Sequence, residues 1–275
     1  MRGPEKRLLS ITVILSLCFL FTGCGPRQFR ADLFQANEMT GWGPEGLTWN
    51  GRDLVLGSGR TVVFLSSLET GAFVNAGSFY NSDGSYIFSR DPLVLTSSRP
   101  IEISGSAWEA GCCGEGFLWI ANSPGKEIIK VSMKNEILTS IPFPGELPGG
   151  LAFDGKDLWA ADSLKATIYR ISTEGKILQQ FPSPVSSPTG LAWDCGQLWI
   201  TGIESCTSAT RDCNPPRLVR INPRTESVTR EIPLPRQISR PASLEWVKGN
   251  LWVGDRDLNR VFRIPDSEPA PPEAP

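Results

Sequence analysis

Pro148-Gly149-Gly150-Leu151-Ala152-Phe153-Asp154-Gly155-Lys156-Asp157-Leu158-Trp159-Ala160-Ala161-Asp162 reads as two short strands joined by a tight turn. Leu151-Ala152-Phe153 is small and apolar, as a strand at a crowded axis must be. Asp154-Gly155 is a turn pair that reverses the chain. Leu158-Trp159-Ala160-Ala161 has no polar side, so it predicts a strand buried on both faces, with Trp159 filling the space towards a neighbouring sheet. Thr167-Ile168-Tyr169-Arg170-Ile171 then alternates as a half-exposed third strand. Gly175 turns the chain into an outer strand, Lys176 to Phe181.

The phrase recurs. Downstream it returns as Pro188-Thr189-Gly190-Leu191-Ala192-Trp193-Asp194 with Leu198-Trp199-Ile200, and as Leu244-Glu245-Trp246 with Leu251-Trp252-Val253-Gly254-Asp255. Upstream it stands as Pro44-Glu45-Gly46-Leu47-Thr48-Trp49-Asn50-Gly51, and as Ser106-Ala107-Trp108 with Leu118-Trp119-Ile120. A period of about 40 residues built from four short strands predicts the blades of a propeller. Five copies predict an all-β, five-bladed propeller. Two insertions, 80–105 and 203–216, stretch the period, and the first leaves room for a degenerate sixth blade as the alternative. The last copy ends after its third strand, Val261-Phe262-Arg263-Ile264. The missing outer strand is expected from Phe29 to Phe34, which would remove the free sheet edges.

The ends of the chain carry other information. Arg2, Lys6 and Arg7 precede an apolar run from Leu8 to Phe21, too short for a spanning helix and of the length a signal peptide needs. The run ends at Phe21-Thr22-Gly23-Cys24, which resembles a bacterial lipoprotein signal: residues 1–23 are removed and Cys24 receives lipid. The alternatives are an ordinary secretory signal or a single anchor, with Cys24 incidental. Gly25, by resemblance to enteric lipoproteins in which Asp there retains the protein at the inner membrane, points to the outer membrane in a Gram-negative cell. Lipidation implies a palmitate-type anchor at the cell envelope, outside the cytoplasm, and a membrane partner held without a spanning segment. Residues 24–28 form the tether, 29–264 the propeller, and the proline-rich 265–275 a tail unable to build a core.

Composition excludes several functions. The formal charge is −2, and no Lys/Arg cluster predicts nucleic-acid binding. There is no His, hence no imidazole base, imidazole metal ligand or His-activated nucleophile. Cys18 leaves with the signal. Cys206 and Cys213 bracket six residues in the second insertion and are expected to form a local disulfide in an oxidising compartment. Cys112, Cys113 and Cys195 leave the pairing open: a vicinal bridge, or one of the pair bonded to Cys195. No spaced Cys pairs suggest a metal.

The Gly-Leu-Ala-x-Asp-Gly-x-x-Leu-Trp phrase resembles the repeats of NHL and streptogramin-lyase-like propellers and, more distantly, of the gluconolactonase (regucalcin-like) group. This resemblance covers residues 44 to 264. It implies a ligand site at the mouth of the central channel, at the residue before each blade's Gly-Leu position: Glu45, Ser104, Gly149, Thr189 and Ala242. The gluconolactonase-like enzymes hold a divalent metal there on a Glu, an Asn and an Asp. Glu45 matches, but Gly149, Thr189 and Ala242 do not supply the others, so no metal or cofactor is expected. The streptogramin lyases use a catalytic His that this chain lacks. Glu45-Gly46-Leu47-Thr48-Trp49 also resembles the five-bladed plant-type glutaminyl cyclotransferases.

A second ring follows the Trp strands: Asn122, Asp162, Glu204 and Asp255. It reads either as a carboxylate cluster for a cation or basic ligand, or as four turn caps, and recurrence at one repeat position favours the caps. Recurrence likewise makes Trp119, Trp159, Trp199 and Trp252 core residues, with Trp49, Trp108, Trp193 and Trp246 following the same logic. Trp42 precedes the first copy and is a candidate ligand contact, the alternative being that it merely covers the channel. The expected function is binding or scaffolding, of a protein or small molecule, through Trp42, Glu45, Asp162, Glu204, Asp255 and the two insertions. The rival is a lyase or hydrolase using Glu45 with second-ring carboxylates. Assembly of outer-membrane machinery is a third possibility.

Overall fold

Five four-stranded antiparallel sheets form the five blades of a propeller in the computed structural model, which describes residues 32–35, 44–65, 74–75, 78–79, 93–95, 97–111, 116–204, 215–258 and 260–265. Among these residues there is no helix. Blade 3 has the pattern the sequence predicts, with strands Pro148–Phe153, Leu158–Asp162, Thr167–Ile171 and Ile177–Pro182 in that order from the axis outwards. Blade 2 (Ile103–Ala110 to Ile137–Pro142) and blade 4 (Ser187–Asp194 to Ser227–Pro233) repeat it. No sixth blade is present among the described residues.

Closure occurs as expected. Asp32–Gln35 is the outer strand of blade 5, antiparallel to Arg260–Pro265, with Asp32 opposite Arg263 and Gln35 opposite Arg260. Blade 1 differs from expectation. Its outer strand is Leu93–Val94, paired with Thr61 and Val62. The insertion therefore lies between its third and outer strands, over 66–92, where a two-residue hairpin pairs Val74–Asn75 with Ser78–Phe79. Residues 80–105 are not a spacer between blades, because 93–94 and 103–105 are already sheet.

Each inner strand begins at the mouth end of the channel and finishes at the opposite end. The second strand returns to the mouth. Trp119, Trp159, Trp199 and Trp252 are buried in the seams. Trp159 stacks on Trp193 of the next blade with ring centroids 5.7 Å apart and planes 14° from parallel. Trp49, Trp108, Trp193 and Trp246 are only half-buried, packed against the margins of the clusters, so recurrence overstated their enclosure.

The axis explains the glycines. A Cβ on Gly150 would come 2.6 Å from Leu191 N, and one on Gly105 would come 2.3 Å from Gly149 O. Backbone meets backbone there, and only hydrogen fits. A circle of side-chain bonds joins neighbouring blades at the mouth end. Ser123 Oγ donates to Pro148 O (3.4 Å), Ser163 Oγ to Pro188 O (2.6 Å), Thr189 Oγ1 to Pro241 O (2.6 Å) and Ser243 Oγ to Pro44 O (2.8 Å). Between blades 1 and 2 the backbone does this instead, Ile103 N–H donating to Gly59 O.

At the opposite end two turn designs appear. Asp154 Oδ1 accepts from Lys156 N and Asp157 N, and Asn50 Oδ1 does the same for Arg52 N and Asp53 N. In blade 4 Cys195 takes φ +41° and Gly196 φ +95°, giving a two-residue turn in which Cys195 holds the first central position. Its thiol is exposed and unbridged. Cys18, Cys24, Trp42, Cys112, Cys113, Cys206 and Cys213 lie outside the described residues, as do the signal and residues 266–275 of the tail, whereas Pro265 ends a strand of blade 5.

Candidate functional site

All five residues preceding the Gly-Leu positions line one cavity at the mouth, about 280 Å3 in volume: Glu45, Ser104, Gly149, Thr189 and Ala242. Each stands within two residues of the start of its blade's inner strand. That start must lie on the channel wall, because the next residue is the axial glycine or its equivalent. Ser123, Ser163, Ser187, Leu147, Ile203, Arg240 and Arg256 complete the wall.

The wall is a ring of hydroxyls with one charged sector. Besides the interblade bonds, Ser104 Oγ donates to Ala121 O and Ser187 Oγ to Ser163 O. The hydroxyl protons of Ser104, Ser123, Ser163, Ser187 and Thr189 are thus engaged by carbonyls, leaving oxygen lone pairs for a ligand that donates hydrogen bonds. Glu45, only 3% exposed, is ion-paired with Arg256, whose side chain remains 41% exposed. Arg240 stands beside it. Arg256 N–H donates to Arg240 O (3.0 Å), and Arg240 Nη1 meets Asp257 Oδ1 at 3.1 Å.

Of the acidic candidates Glu45, Asp162, Glu204 and Asp255, only Glu45 lines the cavity. The second ring is buried in turns. Asp162 Oδ1 and Oδ2 together accept from the N–H groups of Glu146, Leu147, Leu164 and Lys165. Asp255 accepts from Ser239, Arg240 and Leu258 N–H, which fixes the two loops carrying Arg240 and Arg256. Glu204 accepts from Ser186 Oγ and pairs with Arg217 Nε at 3.0 Å. Asn122 accepts from Glu102 N–H and donates to Pro100 O. Each side chain serves its own blade, and the two aspartates are satisfied by the several amides of the adjoining turns. Among the described residues no three acidic or Cys side chains cluster as a metal site would need.

Sequence reasoning missed Arg256, Ser123 and Ser163. The signal was present, since each directly follows a second-ring residue (Asp255, Asn122 and Asp162) and therefore turns back towards the axis.

No family model and no curated protein matches this chain. Among solved structures, glutaminyl cyclase of Myxococcus xanthus is similar at 14% identity, covering 86% of this chain and 93% of that one with a TM-score of 0.57. Virginiamycin B lyase of Staphylococcus aureus follows at 16% identity, covering 80% and 65%, with a TM-score of 0.47. The WD40 propeller domain of Doa1 shares 12% identity over 88% and 98%, at 0.48. At these identities the likeness is one of fold.

Proposed function

We propose that the chain is a lipid-anchored, extracytoplasmic propeller that binds a polar ligand bearing an acidic group at its mouth and does not transform it. What supports this reading is the fate of the carboxylates. Asp162, Glu204 and Asp255 are buried in turn caps and in an ion pair, and Glu45 is neutralised by Arg256. Among the described residues no acid–base couple is left in the cavity. The exposed guanidinium of Arg256, with Arg240 beside it, offers forked donors to a carboxylate or phosphate, and the hydroxyl lone pairs accept from the rest of the ligand.

The test is calorimetric titration of the detergent-solubilised protein with a panel of amino acids, short peptides and sugar phosphates. Binding abolished by Arg256→Ala and retained by Arg256→Lys only in weakened form is the expected result. Indifference of every bound ligand to Arg256→Ala would overturn the reading.

One observation favours a second reading, catalysis at Glu45: it is a buried mouth carboxylate in a fold like that of a glutaminyl cyclase. Turnover in a glutaminyl cyclase or lyase assay, lost in Glu45→Gln, would establish it in place of the first.

A further inference from the structure

We infer that the face opposite the mouth rests on the lipid surface, with a phosphate-bearing lipid headgroup in its groove between blades 3 and 4, and that the mouth is turned away from the membrane. This rests on the proposed anchor at Cys24. Asp32 pairs with Arg263 and Gln35 with Arg260, and Arg260 follows the mouth-side turn after Asp255. The chain therefore enters the propeller at the face away from the mouth. From Cys24 to Asp32 is 32 − 24 = 8 residues, at most about 29 Å when fully extended and about 16 Å as a flexible coil. A domain of this size has a radius of gyration of about 17 Å and is thus wider than the tether is long. The chain's entry point thus lies nearer the bilayer than the mouth does.

The surface at that end fits such a partner. The outer strands of blades 2, 3 and 4 begin there, and each carries an exposed apolar side chain at its first or second residue. Ile137, Leu138, Ile177, Leu178 and Val228 are 39–47% exposed, on strand ends that register with Val131, Ile171 and Ile221. Between blades 3 and 4 the same face holds a groove of about 280 Å3. Half-buried Trp193 forms one wall, and Lys156 and Arg224 stand at the rim with no ion pair among the described residues. Arg170 lies deeper, paired with Asp154 and Asp157. Aliphatic fringe, indole and unpaired cations together are the chemistry of a bilayer interface. The exposed leucines at the other end, Leu147, Leu164 and Leu258, would then face a ligand or partner instead.

The experiment uses the full lipidated protein in vesicles containing anionic phospholipid, with Cys195 on the inferred membrane face and Leu164→Cys on the mouth face. A membrane-impermeant maleimide is applied before and after detergent, and Cys195→Ser supplies the background from other thiols. Loss of Cys195 labelling in vesicles, restored by detergent, with Leu164→Cys labelled throughout, is expected. Equal labelling of both sites, or protection of Leu164→Cys, overturns the orientation while leaving the anchor intact. Extraction of the protein by alkaline carbonate overturns the anchor and the orientation with it. Lys156→Glu/Arg224→Glu should restore Cys195 labelling in anionic vesicles without releasing the protein, and unchanged protection overturns the headgroup groove.

Discussion

Adding a single methyl group at Gly150 tests the packing on which the propeller depends. A Cβ there would lie 2.6 Å from Leu191 N and 2.7 Å from Gly190 C, both backbone atoms of the next blade's inner strand. Neither can rotate away, so the blades must part. Overpacking of this kind costs about 3 kcal/mol at the upper end of its usual range. Ala is better than Gly in a strand by up to about 1 kcal/mol. The net loss for Gly150→Ala is then about 2 kcal/mol, or roughly 4–8 °C in Tm for a domain of this size. Gly105→Ala, 2.3 Å from Gly149 O, should lose more, and Gly190→Ala, whose nearest neighbours lie 2.9 Å away, should lose less. Scanning calorimetry of the three variants reads the order directly. Melting of all three within 1 °C of the parent, or the reverse ranking, would refute the axial contact.

Three further outcomes can be measured. Asp162→Ala strips the acceptor from four backbone amides and should cost about 3 kcal/mol in urea denaturation, without altering ligand binding at the mouth. Burial pushes the Glu245 carboxyl up to about 7, against the lowering effect of hydrogen bonds from Trp246 N–H, the Thr48 hydroxyl and Trp49 N–H. Because this folded-state value lies above the ordinary 4.5, the group's contribution is full below pH 4.5 and is lost as pH rises to 7, by up to about 3 kcal/mol. Glu245→Gln should flatten that slope in urea melts at the two pH values. Deleting residues 1–35 should leave Arg260–Pro265 as a bare edge, seen as a lower Tm and concentration-dependent aggregation by light scattering.

Blade architecture was legible because burial repeats: the Leu-Trp pair at 118–119, 158–159, 198–199 and 251–252 meets the same environment in each seam. The closing strand could be inferred by counting strands in the last copy. The mouth positions followed from the resemblance, at the residue before each blade's Gly-Leu position, which reads Gly105-Ser106 after Ser104 and Ser243-Leu244 after Ala242. The carboxylate ring was harder, since Asp162 and Asp255 differ from ligand-binding acids only in where backbone N–H groups point, and residue identity does not carry that. Arg240 was hidden for a related reason. It lies in the loop before the inner strand of blade 5, which only Asp255 in the folded chain ties to the turn carrying Arg256. Blade 1 misled because its outer strand has two residues, too few to leave a periodicity.

The pairing of Asp32–Gln35 with Arg260–Pro265 has a consequence for biogenesis. The strand made before all the others finds its partner only when nearly the whole domain has followed, so ring closure is the last event and a slow one for so non-local a contact. Until then blade 5 is a three-stranded sheet with an open edge. Such an edge can pair with other chains, so a stalled or truncated chain would remain sticky at its C-terminal blade.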